Sequence, residues 1–221
     1  MIPRTLEPEV MDGPEQCRAY AEADFATPNA AFVERFLATF PELTRGHLLD
    51  LGCGPADIPI RLCQALPDVR VTGVDASAPM LALAVEAARD AGVASRLTLV
   101  EDQLPCSTLE GAFDGLISNS LLHHLPDPNV FWSDVVRYGQ PGAAFLMVDL
   151  TRPPSTDEAQ RLMQLHSNGE PEVLRHDFYH SLLAAFTPDE VNAQLAAHGL
   201  SGLNVAVISD RHLAVWGRLT G

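Results

Sequence analysis

The residue types with the most chemical promise sit at the ends of apolar runs. Asp50-Leu51-Gly52-Cys53-Gly54 closes one such run, and Asp75 closes the next, about 20 residues after Gly54. Glycines between a strand and a helix let a ligand lie against bare backbone, and a carboxylate at that distance offers two acceptor oxygens to the paired hydroxyls of a ribose. A nucleoside ligand is the expectation. Histidine, whose ring titrates near neutral pH, supplies the second lead. His123 and His124 follow the fourth apolar run, and Arg175-His176-Asp177-Phe178-Tyr179-His180 places two more at i, i+4 spacing. His123, His124 and His180 are candidate general bases, and His176 and Tyr179 candidate substrate contacts, because reactive groups on loops over a rigid sheet are where function concentrates. A metal at the second cluster would need further ligands, such as Asp177 or His166, and no metal is expected.

The elements that must hold these groups follow from hydrophobic period. Short apolar runs at 47–51, 69–74, 97–100, 113–118 and 143–150 read as strands, alternating with helical segments at 58–66, 79–91 and 129–138. That alternation argues for a parallel sheet with helices on both faces. Gly92 and Gly139 stand where helices need a left-handed stop. Beyond 151 the pattern breaks at Pro153-Pro154, resumes as a polar helix over 156–167, and breaks again at 168–171. Thr187-Pro188-Asp189-Glu190 carries the threonine cap, first-turn proline and returning glutamate of a capping box, for a helix ending at Gly199. Runs at 203–209 and 212–219 are too close to be anything but an antiparallel hairpin. Ahead of the sheet, residues 14–40 read as helical, with Asn29 as cap of a segment over 30–40.

Composition removes several chemistries. The 221 residues hold 14 Lys+Arg, and every one is arginine. A Schiff-base lysine, a Walker-type phosphate loop and a kinase strand lysine are therefore excluded. A net charge of −15 disfavours nucleic acid, whose affinity comes from neutralising phosphates. No apolar run approaches the roughly 20 residues of a membrane span, and the first residues lack a signal-like apolar stretch, so a soluble cytoplasmic protein is expected, with no membrane partner. Cys17, Cys53, Cys63 and Cys106 form no C-x-x-C pair, which points to neither a zinc ribbon nor a disulfide framework.

Charge also selects the nucleoside. The third glycine of a dinucleotide fingerprint would fall at Asp57, where a carboxylate would oppose a pyrophosphate, and Asp50 adds a second acid beside the turn. Such a turn suits a ligand with positive groups and no phosphate, such as S-adenosylmethionine. In Asp50-Leu51-Gly52-Cys53-Gly54, Gly73-Val74-Asp75-Ala76-Ser77 with Met80, Glu101-Asp102-Gln103, and the stretch from Phe113 to Pro128, the sequence resembles the class I S-adenosylmethionine-dependent methyltransferases.

The resemblance implies a Rossmann-like α/β sheet of seven strands in the order 3-2-1-4-5-7-6, mostly parallel with a C-terminal antiparallel hairpin. It implies that Gly52, Cys53 and Gly54 underlie the methionine, Asp75 with Ala76 and Met80 holds the ribose side, Asp102 and Gln103 meet the adenine, and Ser118 and Asn119 line the methionine end. Tyr20 would close over the cofactor from a helical segment over residues 1–45. Residues 46–221 would form the methyltransferase domain, with 152–186 as a substrate-side insertion. Where the family often carries a third glycine, this chain has Ala56, which puts close packing there in question. A small-molecule acceptor is expected. An NAD-type oxidoreductase on a similar fold and a non-catalytic S-adenosylmethionine-binding module are the alternatives.

Overall fold

The computed structural model describes residues 2–7 and 26–220; Tyr20 and Cys17 lie outside them. The strands are β1 (Arg45–Leu51), β2 (Asp68–Asp75), β3 (Leu97–Glu101), β4 (Phe113–Asn119), β5 (Gly139–Leu150), β6 (Asn204–Val207) and β7 (His212–Arg218). They form one sheet in the order β3-β2-β1-β4-β5-β7-β6, as expected. The first five are parallel, and β7 runs antiparallel to both β5 and β6. Between them lie α1 (Ala26–Thr39), α2 (Asp57–Ala65), α3 (Ala78–Asp90), α4 (Asn129–Tyr138), α5 (Thr156–His166), α6 (Glu172–Ala184) and α7 (Pro188–Ala197).

Adjacent residues of one strand serve opposite cores, because side chains alternate across a sheet. Leu48, Ile117 and Leu146 meet Phe32, Phe36, Leu62 and Ala84 from α1, α2 and α3. Their neighbours Leu49, Leu116 and Phe145 meet Phe131, Trp132, Val191 and Leu195 from α4 and α7. This two-sided burial explains why the central strands read as unbroken apolar runs. A third cluster joins Leu150 to Ala159, Leu162, Leu182 and Leu183, so α5 and α6 pack on the end of β5. Among the described residues no helix is long and apolar enough to cross a membrane.

Several boundaries depart from expectation for identifiable reasons. Asn29 does not cap a helix: α1 already runs from Ala26, with Pro28 tolerated in its first turn, and Asn29 Nδ2 instead donates to Asp57 Oδ2 at 2.9 Å. Gly92 does stop its helix left-handed, at φ 70°, but Gly139 lies at φ −81° and opens β5. Crowding favours glycine there, since a Cβ would fall 2.9 Å from the Val135 carbonyl oxygen and would also displace the end of the Leu219 side chain. The capping box forms: Glu190 N–H donates to Thr187 Oγ1 (3.3 Å), and Thr187 N–H donates to Glu190 Oε2 (2.8 Å).

The strand order fixes where a ligand can sit. Connections run one way from β1 to β3 and the other way from β1 to β4, and the carboxyl ends of strands at such a reversal flank a crevice. The residues after β1 and after β4 form its two sides.

Candidate functional site

On the β1 side the walls are backbone. Gly52 and Gly54 take φ 75° and 52°, and the N–H groups of Gly52 and Cys53 both donate to the Val74 carbonyl at 2.9 Å. A side chain at Gly52 would strike Leu121 at 2.9 Å, whereas one at Gly54 would meet nothing within 4 Å. Gly54 thus leaves a bare cradle facing open space. Asp75 pins this turn, accepting from Gly54 N–H at 2.7 Å through one oxygen and from Ser77 N–H at 2.8 Å through the other. Burial raises its pKa, against the pull of those two bonds. Asp50 lies beneath, 3% exposed, with its pKa pushed well up by burial and by Asp75. Cys53 is also buried, its thiol pushed up by burial and the same two acids, and its sulfur occupies the space where a Gly73 Cβ would stand.

Ala56 carries the cost of lacking the family's third glycine in its backbone. Its φ is 63°, a left-handed conformation costing an alanine roughly 1–2 kcal/mol, while its methyl is fully buried without difficulty. Conformation, not packing, is what glycine would ease. Asp57 likewise acts otherwise than expected. Its carboxylate accepts from Arg61 Nε at 2.6 Å and from Asn29, so it ties α2 to α1 and does not stand as a bare charge in the turn.

A cavity of about 570 Å³ opens over these residues, within the range of small-molecule sites. Gly52, Gly54, Asp75, Ala76 and Met80 line one side, and Asp102, Gln103 and Asn119 continue the wall. Phe32 and Arg35 of α1 cover part of it. Asp102 is saturated: it accepts from the N–H groups of Gln103, Ser107 and Thr108 at 2.8 Å each and from Thr108 Oγ1 at 2.7 Å. Slight burial pushes its pKa up, but these donors, Thr108 foremost, hold it at about 2. Ser118 does not reach the cavity lining; buried, it donates to the Leu51 carbonyl at 2.8 Å and links β4 to β1.

On the β4 side the walls are side chains. Ser120 leaves the strand at φ 56° and the chain enters a single 3₁₀ turn over Leu122–His124. Asp149, buried at the end of β5, fixes that turn by accepting from Leu122 N–H at 2.7 Å and from Leu150 N–H at 2.6 Å. It also lies 2.5 Å from His123 Nδ1. Glu7 approaches from the opposite side, its Oε1 3.6 Å from His123 Nε2 and 2.9 Å from His124 Nδ1, and accepts from Ser181 Oγ at 3.0 Å. Burial pushes His123 toward the neutral form, but Asp149 and Glu7 outweigh it and raise its pKa. For Glu7 burial acts upward and the two histidines and Ser181 prevail, lowering it. Residues 2–7 are strapped down by Arg4, whose guanidinium donates to the carbonyls of Ala184 (2.5 Å), His123 (2.9 Å) and Leu125 (2.8 Å) and stacks on Phe186.

His123 and His124 both line the cavity. His176, Tyr179 and His180 do not. Helix α6 turns Leu174, Asp177, Phe178 and Ser181 inward, at i, i+3, i+4 and i+7, which carries the two histidines to another face with their rings 4.3 Å apart. His176 is 69% exposed. In their place the far wall holds His166, which the sequence offered only as a further ligand to a metal, and Arg211 and His212, which carried no site expectation. Burial, then Arg211, lowers the His212 pKa to about 4. Glu7 had no sequence signal either, whereas Asp149 had one: a lone acid inside the apolar run of β5.

Residues 48–142 match the family pattern of a methyltransferase domain. The chain is 38% identical over 90 residues to the trans-aconitate 2-methyltransferase of Deinococcus radiodurans, covering 41% of this chain and 32% of that one. It is 33% identical over 103 residues to the protein of the same name from Streptomyces avermitilis, covering 44% and 38%. The match therefore spans about a third of these relatives' length. A plantazolicin methyltransferase solved with a monoazolic desmethylPZN analogue and SAH superposes with a TM-score of 0.72 over 94% of this chain and 91% of that one, at 16% identity. A SAM-dependent methyltransferase from Aquifex aeolicus gives 0.67 over 92% and 97%, also at 16%. At that identity the likeness is one of fold.

Proposed function

We propose, for a chain that carries a class I methyltransferase domain over residues 48–142, that it moves a methyl group from S-adenosylmethionine to a small-molecule acceptor. The observation that carries this reading is the junction of Asp75, Gly54 and the cavity. A carboxylate held by two backbone N–H groups keeps acceptor capacity for a ribose diol, and it stands beside a glycine whose missing side chain leaves room for a ligand against the backbone. These residues fit S-adenosylmethionine. When bound there it supplies an activated methyl group on its sulfonium.

The chain's own residues then do three things. Asp75 and the glycine turn bind and orient, with Asp50 buried beneath them and outside the cavity lining. Asp102, Gln103 and Leu104 form the wall at the base end, where the hydrogen bonds that Asp102 accepts from its own loop hold that loop in place. Phe32 and Arg35 of α1 line the cavity beside the glycine turn, part of the segment expected from the sequence to cover the cofactor. Methyl transfer is served chiefly by such positioning. Of the three histidines considered, we favour His124 as the acceptor contact, since His180 is off the cavity and His123 is the more deeply buried of the two that line it.

The acceptor end is built by residues 120–125, α6 and Arg211-His212. The cavity lining runs from Pro28 to His212, a longer stretch than the 103 residues shared with a trans-aconitate 2-methyltransferase, so that acceptor is one member of a test panel. Calorimetry with S-adenosylhomocysteine should show one site per chain, and a wild type that fails to bind would remove the reading. A screen of small carboxylic acids and phenols with labelled S-adenosylmethionine then separates an enzyme from a binding module without turnover.

A further inference from the structure

We propose that Glu7, His123 and His124 hold a divalent first-row transition-metal ion in the wall of the cavity. The site stands on its own geometry and does not depend on the methyl-transfer reading. One ring nitrogen each of His123 and His124 and a Glu7 carboxylate oxygen all lie within 4.8 Å of one another; the nitrogens that face Glu7 are His124 Nδ1 and His123 Nε2. Glu7 Oε1 is 2.9 Å from the one nitrogen and 3.6 Å from the other. Two ligands bonded to one ion at about 2.0–2.1 Å, and about 90–120° apart around it, stand about 2.9–3.6 Å from each other.

Glu7 Oε1 faces His124 Nδ1 and His123 Nε2 together, so a single ion between them would meet one atom of each residue at once. His123 also has the outer partner that metal-bound histidines usually have: its Nδ1 faces Asp149, which two backbone N–H groups hold in place and which leaves Nε2 for the ion.

Two imidazoles and one carboxylate suit Zn²⁺, Co²⁺ or Fe²⁺; Ca²⁺ and Mg²⁺ prefer sites made of oxygen. Three protein ligands leave coordination positions open, and both histidines line the cavity, so an acceptor oxygen is the natural further ligand. Ser181 donates to the Glu7 carboxylate, and Arg4 ties the segment that carries it to the His123 carbonyl, which pre-forms the site.

The test uses the full chain, stripped with a chelator, loaded with Zn²⁺ or Co²⁺ and desalted. Elemental analysis should find one ion per chain, and Co²⁺ should give visible d–d absorption of a low-symmetry site. Glu7→Gln and His124→Ala, each checked for cooperative unfolding, should weaken uptake at least about 100-fold, and Asp149→Asn about 10–100-fold. Failure of the wild type to retain an ion, or equal retention by folded Glu7→Gln and His124→Ala, overturns the site. Calorimetry of the stripped protein with S-adenosylhomocysteine keeps the two readings apart: binding without metal uptake sinks the ion alone, and uptake without binding sinks the cofactor reading alone.

Discussion

The two sides of the crevice are built on opposite plans. After β1, the chain makes its wall from peptide groups: two left-handed glycines, two N–H groups on one carbonyl, and a single carboxylate bridging to the next helix. After β4, the wall is a set of side chains drawn from positions 4, 7, 123, 124, 149 and 181. A backbone cradle recognises what every ligand of its class shares and tolerates little change. A side-chain cluster can be altered one residue at a time, which suits the side that, under the proposed function, faces the acceptor. The two sides meet where Leu121 packs over Gly52.

Substitutions can break that contrast at either side. The largest effect belongs to His123→Ala, which leaves Asp149 buried without its ring partner; a loss of about 3–5 kcal/mol is expected in denaturant unfolding, and a near-neutral result would make the β4 cluster ornamental. Asp75→Ala strips the acceptor from two N–H groups and from the ligand, weakening S-adenosylhomocysteine by about 2–4 kcal/mol, or roughly 30- to 1000-fold by calorimetry.

A pair of glycine variants sharpens the comparison further. Gly52→Ala is strained at φ 75° and collides with Leu121, so stability should fall by about 2–4 kcal/mol. Gly54→Ala meets open space, so stability should fall by only about 1–2 kcal/mol while ligand affinity drops at least tenfold. Equal stability losses would contradict the assignment of Gly54 as the cradle. The smallest effect is expected at Asp102. Its folded pKa of about 2 lies below the ordinary 3.8, so the stability it contributes is present above about pH 4 and lost as pH falls toward 2. Asp102→Asn should flatten that part of an acid-unfolding profile, leaving ligand affinity near neutral pH almost unchanged.

The same contrast governs what could be read from the sequence. The β1 wall is local: strand, glycines and the Asp75 that follows the next strand lie within about 25 residues, and their types state their backbone needs. The sheet order and the helix over 129–138 were legible for a similar reason, since period and end signals agreed. The β4 wall is not local, and nothing near Glu7 announces partners more than a hundred residues away. In α6 the residue types misled: His176, Tyr179 and His180 look chemical, but the face that packs on β5 and the strap is set by Leu182, Leu183 and Phe178, and this turned Asp177 and Ser181 inward. Asp57 misled because a charge seen in sequence carries no sign of the Arg61 and Asn29 that answer it.

Residues 2–7 have a consequence for biogenesis. They are translated before the sheet, yet their contacts lie at residues 123–126 and 181–186, spans of 119 to 182 residues for Arg4. Closing a loop that long is entropically unfavourable until the intervening chain has folded and brought its ends together. On the ribosome the segment therefore waits, unattached, while β1 to β5 and then α6 emerge. Its docking follows the folding of β1 to β5 and α6 and completes the Glu7 side of the site. A nascent chain arrested before residue 181 would hold the Asp75 side complete and the Glu7 side still open.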